Sequence, residues 1–127
     1  MLVRGKISTK LEDKLLEEAH VLWHPMRFRI AKLLLEKPMH INGISKALGE
    51  ERRLISYHLL TLQSYGFVNS RYEISEAPKS KGKAIRKYWV TEKVEEVITE
   101  IKKIPIRNYV MKVKGHIPLQ LLIIEEE

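Results

Sequence analysis

Two runs of helical periodicity meet at Gly49 with almost nothing between them, and that juncture constrains the fold more than any other feature of the chain. Asn42 is placed to cap a helix in which Ile44, Ala47 and Leu48 point inward, and Gly49 supplies its stop. After Glu50 and Glu51 the run RRLISYHLLTLQSYGFV begins, with apolar residues again at spacings of three and four and Gly66 as its terminator. Two short helices joined by so tight a turn, the second longer and more basic, form a helix-turn-helix pattern.

The second helix has two distinct sides. At 100° per residue, His58, Leu59 and Leu62 fall within about 60° of Ile55, while Arg53, Tyr57, Leu60 and Ser64 lie opposite and Arg52 and Ser56 sit at the flank. The first side is expected to pack against a core. The other offers two guanidinium groups, a hydroxyl and a phenol within its first two turns, groups able to grip phosphate or read base edges. His58 is expected to pack against Leu62 or to satisfy a core hydrogen bond.

The rest of the chain reads around this pair. Ser8 or Thr9 is expected to cap a first helix with Leu11, Leu15, Ala19, Leu22 and Trp23 inward, and His24-Pro25 separates it from a second helix. That second helix, apolar nearly all round from Met26 to Leu35, is expected to be the most buried element. Met39-His40-Ile41 is a short extended piece. Residues 67–76 and 84–91 read as two strands joined by a turn at 78–82, a hairpin whose tip holds Lys79, Lys81, Lys83, Arg86 and Lys87 with no acid among them. Thr91 can cap a last helix, residues 92–103, with Val94, Val97, Ile98 and Ile101 as its apolar stripe.

Charge follows the same geography. Of the net +7, residues 42–91 carry nine basic and four acidic groups, whereas residues 92–127 carry six and seven. A basic centre suits a polyanionic partner. Cysteine is absent, which excludes disulfides, thiolate metal sites and cysteine nucleophiles. The uncharged run 117–124 falls short of the ~20 residues of a membrane span, so a soluble, cytoplasmic chain without membrane contact is expected. Ser56 and His58, two apart on a helix, cannot face each other, and no glycine-rich phosphate loop precedes a helix, so no enzyme is expected. His20 and His24 have helical i, i+4 spacing but no third ligand, and Trp23 and Trp89 read as core aromatics; neither a metal nor another cofactor is expected.

Three strings, HPMRFRIAKLLLEKPMHINGISKALG, SYHLLTLQSYGFV and KYWVTEK, resemble the second helix and helix-turn-helix entry, the recognition helix, and the second wing strand of the ArsR-type regulators. The resemblance implies a mainly α winged helix-turn-helix fold with a small β-hairpin, in the order α-α-β-α-α-β-β-α. It implies a homodimer joined through the first and last helices, with residues 52–65 in the DNA major groove and the hairpin tip near Lys81 on flanking backbone. Metal-sensing members of the family use cysteines around residues 41–48 or His and Asp pairs on the last helix. Here the first region has no Cys and the second no His, so neither kind of sensor is expected. Glu50 and Glu51 stand where small capping residues are common; they favour the helix dipole but repel phosphate.

The expected DNA-binding residues are therefore Arg52, Arg53, Ser56, Tyr57, Lys79, Lys81, Lys83 and Arg86, on a domain spanning 1–104 with an extension at 105–127 whose role stays open. The expected function is sequence-specific binding of double-stranded DNA as a homodimeric transcription regulator, with repression as its sense. The alternative is a winged helix used for protein assembly, encouraged by Leu60 on the outer face.

Overall fold

A computed structural model describes residues 2–79 and 81–104, with side chains from Leu11 onward. The elements are α1 (Leu2–Leu22), α2 (Pro25–Glu36), β1 (Met39–His40), α3 (Ile41–Leu48), α4 (Arg52–Ser64), β2 (Val68–Ile74), β3 (Ala84–Val90) and α5 (Lys93–Lys102). This is the expected order. The strands form one antiparallel sheet in the order β1-β3-β2, with Met39 opposite Tyr88 and Val68 opposite Val90. The extension at 105–127 lies outside the described residues.

One core joins every helix to the root of the sheet. Leu22, Ile30, Ile44, Ile55, Leu59, Leu62, Phe67 and Val68 are its largest fully enclosed side chains, drawn from α1 through the start of β2. α5 adds Val94, Val97 and Ile101, three residues of the expected stripe, and packs along α1.

Two glycines close the helices that matter most. Gly49 takes φ 67°, with the Glu50 amide donating back to the Ser45 carbonyl at 3.1 Å. Gly66 takes φ 83°; its amide donates to Gln63 O at 3.0 Å, and the Phe67 amide donates to Leu62 O at 2.9 Å. Left-handed backbone of this kind satisfies the last carbonyls of a helix and is open chiefly to glycine. Thr91 then ties the far end of the hairpin to the same turn. Its hydroxyl donates to Gly66 O at 2.6 Å and accepts from the Lys93 amide at 3.2 Å, the expected cap.

Several local expectations need correction. α1 begins at Leu2, so Ser8 and Thr9 lie inside it; these residues are tolerated in a helix interior, and a good capping residue need not mark a start. Leu11 is exposed because the core reaches α1 only from Leu15 and Leu16 onward. α2 is not the most buried element: Ile30, Ala31 and Leu34 are enclosed, but Leu35 stays 52% exposed because α3, α4 and β3 cover one side only. α3 starts at Ile41 with His40 before it, leaving Asn42 inside the helix, and Ala47 is exposed although it lies only about 60° from buried Ile44 around the axis. The strands and α5 end one or two residues inside their expected limits.

Candidate nucleic-acid interface

α4 has the two sides its sequence dictates. Ile55, His58, Leu59 and Leu62 are buried, and Arg52, Arg53, Ser56, Tyr57 and Leu60 are exposed, Tyr57 by 60% and Leu60 by 69%. Arg52, Arg53, Ser56 and Tyr57 line one shallow concavity with Ile41 of α3. Within it Arg52 is turned toward α3, its guanidinium donating to Asn42 Oδ1 at 3.0 Å. Arg53 has no hydrogen-bond or ion-pair partner among the described residues and points from the centre of the exposed face.

The inner side is held by a contact that sequence periodicity does not reveal. Arg27 of α2 donates through Nε to Val21 O at 2.7 Å and through its terminal nitrogen to His58 Nδ1 at 3.3 Å. It thereby fastens the middle of α4 to the end of α1. Because a guanidinium only donates, His58 Nδ1 must accept, and the ring carries its proton on Nε2.

His58 is only 3% exposed, with the His24 ring 4.6 Å away and Tyr57 edge-on at 5.0 Å. Burial, then His24 and Arg27, lower its pKa from 6.5 to about 4. His24 is shifted down as well, first by burial and then by Arg27 and His20. The unfolded chain therefore takes up protons that the folded chain refuses. Stability conferred by neutral His58 is complete above pH 6.5 and is lost as pH falls toward 4, by ~3 kcal/mol for a shift of this size. His24 adds in the same direction. Urea midpoints measured from pH 7 to pH 4 should show this fall, and His58→Gln, which keeps an acceptor for Arg27 but cannot charge, should flatten part of it. A midpoint independent of pH over that range would refute the assignment.

His24 also caps α2, its Nδ1 accepting from the Met26 amide at 3.1 Å. No group of three or more His, Cys, Asp or Glu side chains is placed to hold a metal ion among the described residues. Trp23 is buried and stacks on Phe28 at 5.7 Å. Trp89 is only half-buried, on the outer face of the sheet.

The hairpin projects the second basic group. Its end is closed by the Ser75 amide on Lys83 O at 2.8 Å and the Gly82 amide on Ser75 O at 3.0 Å. Lys79, Lys81 and Lys83 are exposed there. Arg86 lies further down the strand, apart from the tip. Its Nε donates to Ser70 Oγ at 2.8 Å, and its guanidinium lies over the rings of Tyr72 and Tyr88 at 5.4 and 5.7 Å.

Strand register puts Val68, Ser70, Tyr72 and Ile74 on the same face as Arg86, and Ser70 also reaches Gln63 at the end of α4. Tyr72 and Ile74 are therefore exposed members of the surface that continues from α4 onto the hairpin. Period-two alternation from Val68 was the available signal for them.

Comparison with known proteins finds one family match and several structures of the same fold. Residues 24–70 match the family model described as bacterial regulatory protein, arsR family. The matched segment runs from the cap of α2 into β2, so it includes all four α4 candidates and excludes the tip lysines.

Solved structures share the winged-helix fold with the larger part of the chain. The homodimeric winged helix-turn-helix DNA-binding domain of a possible ArsR-family transcriptional regulator from Mycobacterium bovis is 21% identical, with TM-score 0.56 over 82% of this chain and 89% of its own. The transcriptional repressor BigR from Xylella fastidiosa is 19% identical, with TM-score 0.56 over 76% and 90%. NolR from Sinorhizobium fredii is 16% identical, with TM-score 0.56 over 76% and 89%. No curated protein sequence matches the chain.

Proposed function

We propose that this protein is a homodimeric transcription regulator that binds duplex DNA in a sequence-dependent way, entering the major groove with the outer face of α4. The observation that carries this is the sidedness of α4: its apolar half is sealed into the core, while Arg53, Ser56 and Tyr57 stand open beside a strongly basic hairpin. Cations on the two elements supply affinity by displacing counterions, and α4 supplies base preference. Arginine can bridge O6 and N7 of guanine, and exposed Leu60 can meet the methyl group of thymine.

The M. bovis neighbour is homodimeric and BigR is a repressor, which supports a dimer and repression here. Leu11 and Leu15 of α1 and Ile104 after α5 border one open groove between charged residues of both helices, among them Lys14, Glu18, Lys93 and Glu100, a mixed surface that a second copy could complement. No helix among the described residues is long and apolar enough to cross a membrane, and a cytoplasmic DNA regulator without catalytic activity fits that.

The competing reading, a protein-assembly module, draws on Leu60, the most exposed large apolar side chain of the described residues. Selection of bound sequences from random duplex DNA separates the two. A regulator of this geometry enriches a two-fold symmetric site with half-sites about 34 Å apart, one helical turn. Absence of enrichment would favour assembly.

A further inference from the structure

A groove of about 540 Å³ lies on the side of the molecule formed by the end of α2 and the outer face of β3. Leu35, Pro38 and Trp89 give it an apolar floor, and Lys37, Arg71 and Lys87 surround this floor against a single acid, Glu36. Arg71 and Lys87 are direct register partners on β2 and β3. Like charges placed opposite each other weaken a sheet. Glu73 relieves this only in part: its Oε1 is 3.8 Å from the Lys87 ammonium and is shared with His40 Nε2 at 3.1 Å. Arg71 has no ion-pair partner among the described residues. The groove is therefore shaped for a ligand with an apolar stretch next to several negative charges.

The chain carries such a segment. Residues 121–127 read Leu-Leu-Ile-Ile-Glu-Glu-Glu, four apolar side chains followed by three carboxylates. The intervening residues 105–120 reach up to ~55 Å when extended, whereas a domain of about 100 residues is ~35 Å across. A tethered segment also meets its site at an effective concentration near millimolar, so modest complementarity suffices.

We propose that residues 121–127 dock in this groove of their own chain, with Leu121 to Ile124 against Leu35, Pro38 and Trp89 and the glutamates on Lys37, Arg71 and Lys87. Docking covers the apolar segment and neutralises the opposed cations at once. It also places three negative charges beside the hairpin that the proposed DNA contact uses.

Because the chain has no cysteine, pairs introduced into the full-length protein report the contact directly. Under mild oxidation, Leu35→Cys with Ile123→Cys should close an intrachain disulfide at least tenfold faster than Leu60→Cys with Ile123→Cys. Adding Glu125→Lys, Glu126→Lys and Glu127→Lys together should slow it by a similar factor. Equal rates for the two pairs, or a faster Leu60 pair, would overturn the proposal. So would bonds formed only between chains, which would assign the groove to a second copy. An unchanged rate in the triple-lysine variant would also overturn it, leaving the Arg71 and Lys87 pair to another anion such as a phosphate backbone.

Discussion

Binding of this protein to its selected duplex should weaken about 10³- to 10⁵-fold when salt rises from 50 to 200 mM, the fall expected for six to ten neutralised phosphates. The residues to achieve this are in place. Lys79, Lys81 and Lys83 at the hairpin tip and Arg53 on α4 are all exposed, and two protomers would bring about eight such cations to the backbone. Each cation removed should reduce the slope of log affinity against log salt by about 0.9. Lys81→Ala with Lys83→Ala therefore removes four charges from a dimer and about 3.6 from the slope. A flat titration with the parent protein would mean that the basic centre is a solubility feature.

Phe67→Ala is expected to have the largest effect on stability. The ring is fully buried where α4, the hairpin root and α5 converge. The Phe67 amide donates to Leu62 O and its carbonyl accepts from Thr91 N, both at 2.9 Å. The Lys93 ammonium lies 5.2 Å from the ring centre while donating to Tyr65 O at 2.6 Å and pairing with Glu18 at 2.7 Å. Truncation would empty this junction and leave the ammonium without its aromatic neighbour.

A loss of about 3–5 kcal/mol is expected for a buried Phe→Ala change. That is a large part of the 5–15 kcal/mol by which domains are stable. Urea denaturation should show the midpoint falling accordingly, and a loss below about 1 kcal/mol would contradict the packing described here.

The elements legible in the sequence were those whose signal is local. Gly49 and Gly66 marked the ends of α3 and α4 because only left-handed backbone closes those helices, and the four buried residues of α4 followed from a rotation of 100° per residue. α2 misled because composition records how apolar a helix is but not how many neighbours cover it; Leu35 lies on the uncovered side. Ala47 and Leu11 are exposed where periodicity turns them inward, Leu11 because it lies beyond the reach of the core.

In the candidate site, Arg53 and Tyr57 were readable from their side of α4. The partner of Arg52 and the contact between Arg27 and His58 were not, since each joins residues on different helices. The same limit applied to Arg86. Counted with the tip lysines in sequence, it is drawn down the strand by Ser70 and two tyrosine rings.

The central claim is that the outward half of α4 meets DNA, and affinity for the selected duplex measured on single alanine variants tests it most directly. Arg53→Ala and Tyr57→Ala should each lose about 1–3 kcal/mol of binding, with base preference relaxed at one symmetric position where the residue reads a base. Lys32→Ala, removing an exposed cation on α2, should leave both affinity and preference unchanged. Full affinity and unaltered preference in both α4 variants would contradict the account.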